Sequence, residues 1–147
     1  MGSAGQGTGE SACALAPDAD ASPAPARPPE LSRDGAVALQ RIDMMTRHAI
    51  ETLLTGPEGW RPLARDLVAA WPEAPALELV FTIVCAAEAI ETMFAAGSPA
   101  LAGAEAGYKV AALLGVDLYA MQSLGLPHRL AADFTTYWQA DPWFRLL

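Results

Sequence analysis

The chain has 147 residues, 52% of them apolar, and a net charge of −8. That is one domain's worth of sequence, and because Ala inflates the apolar share, the core is expected to be built of thin side chains. The charge is uneven. Residues 72–123 carry Glu73, Glu78, Glu88, Glu91, Glu105 and Asp117 against Lys109 alone, a poor surface for phosphate, which argues against nucleic acid or an anionic membrane as partner.

Two cysteines, Cys13 and Cys85, do not make a disulfide framework or a metal cluster and read as free thiols of a reducing cytoplasm. The first thirty residues lack the basic and apolar regions of a secretory signal, and Gln6 stands where a myristoylation signal has Ser or Thr. The longest apolar run, Leu79–Ala87, is interrupted by Thr82 and bounded by Glu78 and Glu88, far short of a membrane span.

In chain order, residues 1–30 are Gly/Ser/Ala-rich and then Pro/Ala-rich. They cannot bury enough apolar surface to offset their ordering entropy, which predicts a disordered arm. From Leu31 the period is helical throughout. A first helix begins at the cap Ser32 and carries Leu39, Ile42, Met45, Ala49 and Leu53 on one stripe before Gly56-Pro57 stops it. A second places Trp60, Leu63, Leu67, Val68 and Trp71 on one face and ends at Pro72. The third starts near Pro75 as a first-turn proline and runs to about Ala96. It is apolar on two sides. Ile83, Ala86, Ala87 and Ile90 make one stripe, and Leu77, Phe81, Val84 and Cys85 the opposite one, which predicts an oligomer interface and a homodimer.

A fourth helix follows Gly97-Ser98-Pro99 and ends in Leu124-Gly125-Leu126-Pro127, a Schellman stop. Gly103, Gly107, Ala111 and Gly115 recur along it every four residues, a smooth ridge suited to close helix approach. A fifth, Pro127–Gln139, puts Leu130, Ala131, Phe134 and Trp138 on one stripe, and Asp141–Leu147 forms a short helical turn or aromatic arm. The expected architecture is all-α, a compact bundle of about five helices over 31–147 after the N-terminal arm.

Little in the sequence resembles chemistry. Ala-Ile-Glu-Thr occurs at 49–52 and again at 89–92, each time before a Gly and a Pro, but the flanking residues do not align, so the match is shared punctuation rather than a solenoid repeat. His48 and Glu51, with Glu88 and Glu91, are the candidate metal ligands. A di-iron bundle needs Glu-x-x-His on two helices, and here the order is reversed, with His48 and Glu51 on the polar flank of the first helix.

In Gly107–Gly125, Ala111 and Gly115 take the small and turn positions, and Val110, Leu114, Val116, Met121 and Leu124 the apolar ones. This stretch resembles the helix-turn-helix of bacterial regulators, which implies DNA binding, but Leu118–Leu124 contains no Arg, Lys or Asn to read bases. No phosphate loop, HExxH, CxxC or GxSxG occurs, and no nucleophile has a base beside it, so neither cofactor nor catalysis is expected.

The function expected is that of an interaction protein: an accessory, scaffold or regulatory subunit acting through apolar helix faces. A helix-turn-helix regulator is the alternative, and a small carboxylate-rich metal or ligand site the third. Leu77, Phe81 and Val84 are the expected partner-binding residues. With them stand Tyr137, Trp138, Trp143 and Phe144, because Trp and Tyr dominate interface hot spots; the same four aromatics would equally serve to close the open end of an Ala-thin bundle. Limited proteolysis of the full chain is expected to trim it to near Leu31 and leave a cooperatively folding core; a truncation starting at Leu31 that does not fold would contradict this.

Overall fold

Ser32 opens the first helix in the computed structural model, which describes residues 32–140. Its hydroxyl accepts the Gly35 N–H at 3.2 Å, satisfying one of the free donors of the first turn. Among the described residues there are five helices: α1 (Arg33–Leu53), α2 (Trp60–Ala70), α3 (Ala76–Met93), α4 (Leu101–Ser123) and α5 (Ala131–Ala140). The fold is all-α, and the pairing of Pro75 with Leu130 is an isolated bridge. The arm 1–30 and the tail from Asp141 lie outside the described residues.

The stop of α4 is the one its sequence spells. Gly125 takes φ 68; its N–H donates to the Gln122 carbonyl at 3.1 Å, and the Leu126 N–H reaches the Met121 carbonyl at 2.9 Å. Three boundaries differ from the sequence reading. Pro75 caps α3 from outside instead of sitting in its first turn, and α3 ends at Met93, short of Ala96. The start of α5 moves from Pro127 to Ala131. The reason is tertiary: the Ala76 N–H donates to the Arg129 carbonyl and the Ala131 N–H to the Ala74 carbonyl, both at 2.8 Å. The Asp133 carboxylate meanwhile accepts the Arg129 and Leu130 N–H groups at 2.8 and 2.9 Å. Those bonds hold the strand-like residues before α5 against the start of α3.

The core is centred on α3, whose Leu79, Ile83, Ala86, Ala87 and Ile90 are fully buried. It packs most extensively on α4 and next on α1. Met45, Ala49 and Leu53 enter from α1, and Ala104, Ala111, Leu114 and Met121 from α4, while Leu63, Leu67 and Phe134 of α2 and α5 complete the interior. Leu39 leaves the expected α1 stripe and is exposed. The cause is where α3 begins. Glu78, in its first turn, receives Arg41 through two hydrogen bonds, Nε to Oε2 at 2.9 Å and Nη2 to Oε1 at 2.8 Å. The turns of α1 before Arg41 have little of α3 left to pack against.

The glycine ridge of α4 performs its expected role over half its length. A Cβ on Gly103 would stand 2.8 Å from the Leu53 backbone oxygen, and one on Gly107 3.0 Å from Leu53 Cδ1 and 3.2 Å from Ala87 Cβ. At Gly115 a Cβ would meet nothing within 4 Å among the described residues, so the close approach expected along the ridge does not extend there. A methyl at Gly103 must push the Leu53 backbone aside, and backbone yields less readily than a side chain. Gly103→Ala is therefore expected to destabilise the fold by about 1–3 kcal/mol in urea unfolding despite its better helix propensity; an unchanged midpoint would contradict the close approach.

Candidate functional site

The titratable candidates do not converge. His48 is not on a solvated flank, as its sequence position suggested, but half-buried, its imidazole meeting Trp71 edge-on with ring centroids 5.7 Å apart. Its Nε2 is buried and makes no hydrogen bond to any of the described residues. The correction follows from the end of α2, which folds Trp71 over a face that α1 read alone presents to water. Glu51, one turn on, is exposed. Glu88 and Glu91 are exposed on α3, Glu88 accepting from Thr92 Oγ1 at 3.1 Å and Glu91 from the Tyr108 hydroxyl at 3.0 Å. Burial, then the hydrogen bond to Glu91 and the charges of Glu91 and Glu88, holds the Tyr108 phenol above its usual range. Among the described residues no three His, Cys, Asp or Glu side chains come together as metal ligands.

The α5 aromatics turn inward. Trp138 stacks on Phe134 with centroids 5.4 Å apart and donates its indole N–H to Asp117 Oδ2 at 2.9 Å. Tyr137 and Trp138 are half-buried against the core and help close the bundle; Trp143 and Phe144 lie outside the described residues. Two open clefts, of about 650 and 510 Å³, are both lined by Arg65 and Trp138.

The largest unexplained feature is an apolar face. Leu77 is 66% exposed, Phe81 52% and Val84 39%, so the second stripe of α3 faces away from the protomer's own core. Helix α4 adds residues that its sequence did not single out for this role: Val116 is 64% exposed and Tyr119 72%. The two sets are neighbours. The short connection after α3 returns α4 antiparallel to it, with Gly107 beside Ala87 and Tyr108 beside Glu88 and Glu91. Stepping one turn at a time from Tyr108 brings Ala112 level with Val84, Gly115 with Phe81 and Tyr119 with Leu77. No charged side chain interrupts Leu77, Phe81, Val84, Ala112, Val116 and Tyr119. The signal for the α4 half was legible as the absence of any charge except Asp117 after Lys109 in that helix, and Asp117 turns to Trp138 on another side.

Helix α4 is unbroken from Leu101 to Ser123. The stretch that resembles a helix-turn-helix therefore has no turn at Gly115 and projects no separate second helix. Compared with models of known protein families, with curated proteins and with solved structures, the chain finds no match.

Cys85 borders this face, half-buried on α3, and its burial, followed by the charge of Glu88, raises the thiol above its usual range. A raised pKa leaves less thiolate at neutral pH. In a Cys13→Ser background, Cys85 is expected to react with iodoacetamide more slowly at pH 7.5 than a free small-molecule thiol, and to accelerate as pH rises; a rate equal to the free thiol's would contradict the burial.

Proposed function

We propose that the protein is a non-catalytic interaction protein, an accessory, scaffold or regulatory subunit whose α3–α4 face holds a polypeptide partner. One observation carries the reading: Leu77, Phe81, Val84, Val116 and Tyr119 lie exposed on two adjacent helices with no charge among them. Single exposed apolar residues are ordinary, whereas a contiguous patch of several hundred Å² on a folded domain marks an interaction site. The rim is polar, with Glu88 beside Tyr108 on one side and Lys109 paired to Glu105 at 2.6 Å beyond Ala112, as in an interface whose charged residues are pushed to the edge.

A peptide or protein surface suits this face better than nucleic acid does, because the face offers no cation to a phosphate. Among the described residues no helix is long and apolar enough to cross a membrane. The free thiol of Cys85 suits a reducing cytoplasm. The partner is a second copy of the chain or another polypeptide.

The test is a contrast between the full-length protein and its Phe81→Glu variant, each tagged and purified under native conditions from the cells the chain comes from. The unaltered protein is expected to bring down a polypeptide in stoichiometric amount, an untagged copy included, and the variant to lose it while keeping its helical circular dichroism. If both purify with the same set of proteins, the face is not the binding surface.

A further inference from the structure

The occupant of the α3–α4 face follows from Gly115. Glycine is disfavoured in a helix interior relative to Ala, and in α4 the other two glycines have a visible compensation. Gly103 and Gly107 let Leu53 and Ala87 come closer than a Cβ permits. Gly115, eight residues on and in the same unbroken helix, has nothing within 4 Å of where its Cβ would stand. Nothing among the described residues uses the missing side chain. Its place in the register is near the seam of the apolar face, at about the level of Phe81, so it leaves a notch in the α4 half of that face beside Ala112, Val116 and Tyr119.

Resting on the reading of α3–α4 as the binding face, we infer that this face pairs with the same face of a second copy of the chain about a two-fold axis, each copy's Phe81 seated over the other's Gly115. Knob and notch lie on one patch, as a two-fold interface requires, since it joins a surface to itself. The area is sufficient. Covering Leu77, Phe81, Val84, Val116 and Tyr119, with Ala112 and the notch between them, removes on the order of 600 Å² per copy, close to the roughly 800 Å² each partner contributes to a standard interface.

Electrostatics selects the same face. Two copies of a chain of net charge −8 repel, and a two-fold contact sets equal charges opposite each other near its axis. The middle of the α3–α4 face has no charge to oppose; at its rim Lys109 and Glu105 neutralise each other, and the acids Glu88 and Glu91 stand one to two turns beyond Val84, away from the centre of the patch. A small edge of aromatic and β-branched side chains around a glycine notch is also a shape that a flat or charged foreign surface does not complement.

Sedimentation velocity of the full chain from 1 to 100 μM tests the inference, with Phe81→Glu, Val116→Glu and Gly115→Ala as variants. The unaltered protein is expected to be a dimer. Phe81→Glu and Val116→Glu are expected to be monomers with unchanged helical content; the second substitution, on α4, keeps the test decisive if the first does not fold. Gly115→Ala separates notch from fold. It is expected to raise the dimer dissociation constant at least tenfold while raising the melting temperature of the monomer measured at high dilution, since the methyl enters open space there.

A wild type that stays monomeric at 100 μM overturns the self-pairing. So does a dimer that survives both glutamate substitutions, and a Gly115→Ala dimer as tight as the original overturns the seating of Phe81. Failure here is distinguishable from failure of the binding-face reading. A monomeric wild type that still loses a co-purifying polypeptide on Phe81→Glu loses only its second copy, whereas an unchanged set of co-purifying proteins removes the face itself.

Discussion

The close contact of α4 with α1 and α3 at Gly103 and Gly107 is the constraint from which the rest of the structure follows. Leu53 and Ala87 occupy the space two Cβ atoms would have filled. Each glycine forgoes about 1 kcal/mol of helix propensity relative to Ala, offset by the dispersion contacts that a shorter interhelical distance brings to every residue along the seam. With so many alanines the core has few large side chains to interdigitate, and Ala86, Ala87, Ala104 and Ala111 would leave gaps at ordinary helix spacing. Tight approach is the way such a core reaches native density.

That approach also sets register. Once Gly107 lies against Ala87, Tyr108 must stand beside Glu88 and Glu91, and the remaining turns of the antiparallel pair are carried along. The outward edges of α3 and α4 thereby become one surface. Neither helix alone offers more than a short apolar stripe; joined, they expose one apolar patch. The same contact that economises on core volume thus generates the face on which function is proposed to rest.

Elsewhere the thin core is closed by large residues that lie half in and half out. Trp71 covers His48, and Trp138 lies over Phe134 while its indole N–H is held by Asp117. Aromatics of this kind seal the ends of a small bundle because one edge can pack while the other stays wet. Among the described residues two buried polar atoms, His48 Nε2 and Thr82 Oγ1, have no hydrogen-bond partner. A buried group left unpaired in this way costs about 1–3 kcal/mol, which the packing around α3 must offset.

The sequence by itself determined what is local. The Ser32 cap, the Gly125 Schellman stop and the helical period after Leu31 rest on interactions within a few residues along the chain, and that period alone puts Leu77, Phe81 and Val84 on a different side of α3 from Ile83, Ala86 and Ile90. Tertiary structure decided whatever needed a distant partner. Residues 127–130 are not helical, because Ala76 bonds to Arg129 and Ala74 to Ala131; His48 is covered because Trp71 arrives from α2; and Gly115 sits unopposed among the described residues while Gly103 and Gly107 are crowded, although all three look alike in sequence. A four-residue spacing of small side chains states that a helix has a smooth edge. Which part of that edge another helix touches depends on where the neighbouring helices begin and end, and that is settled only when all five have packed.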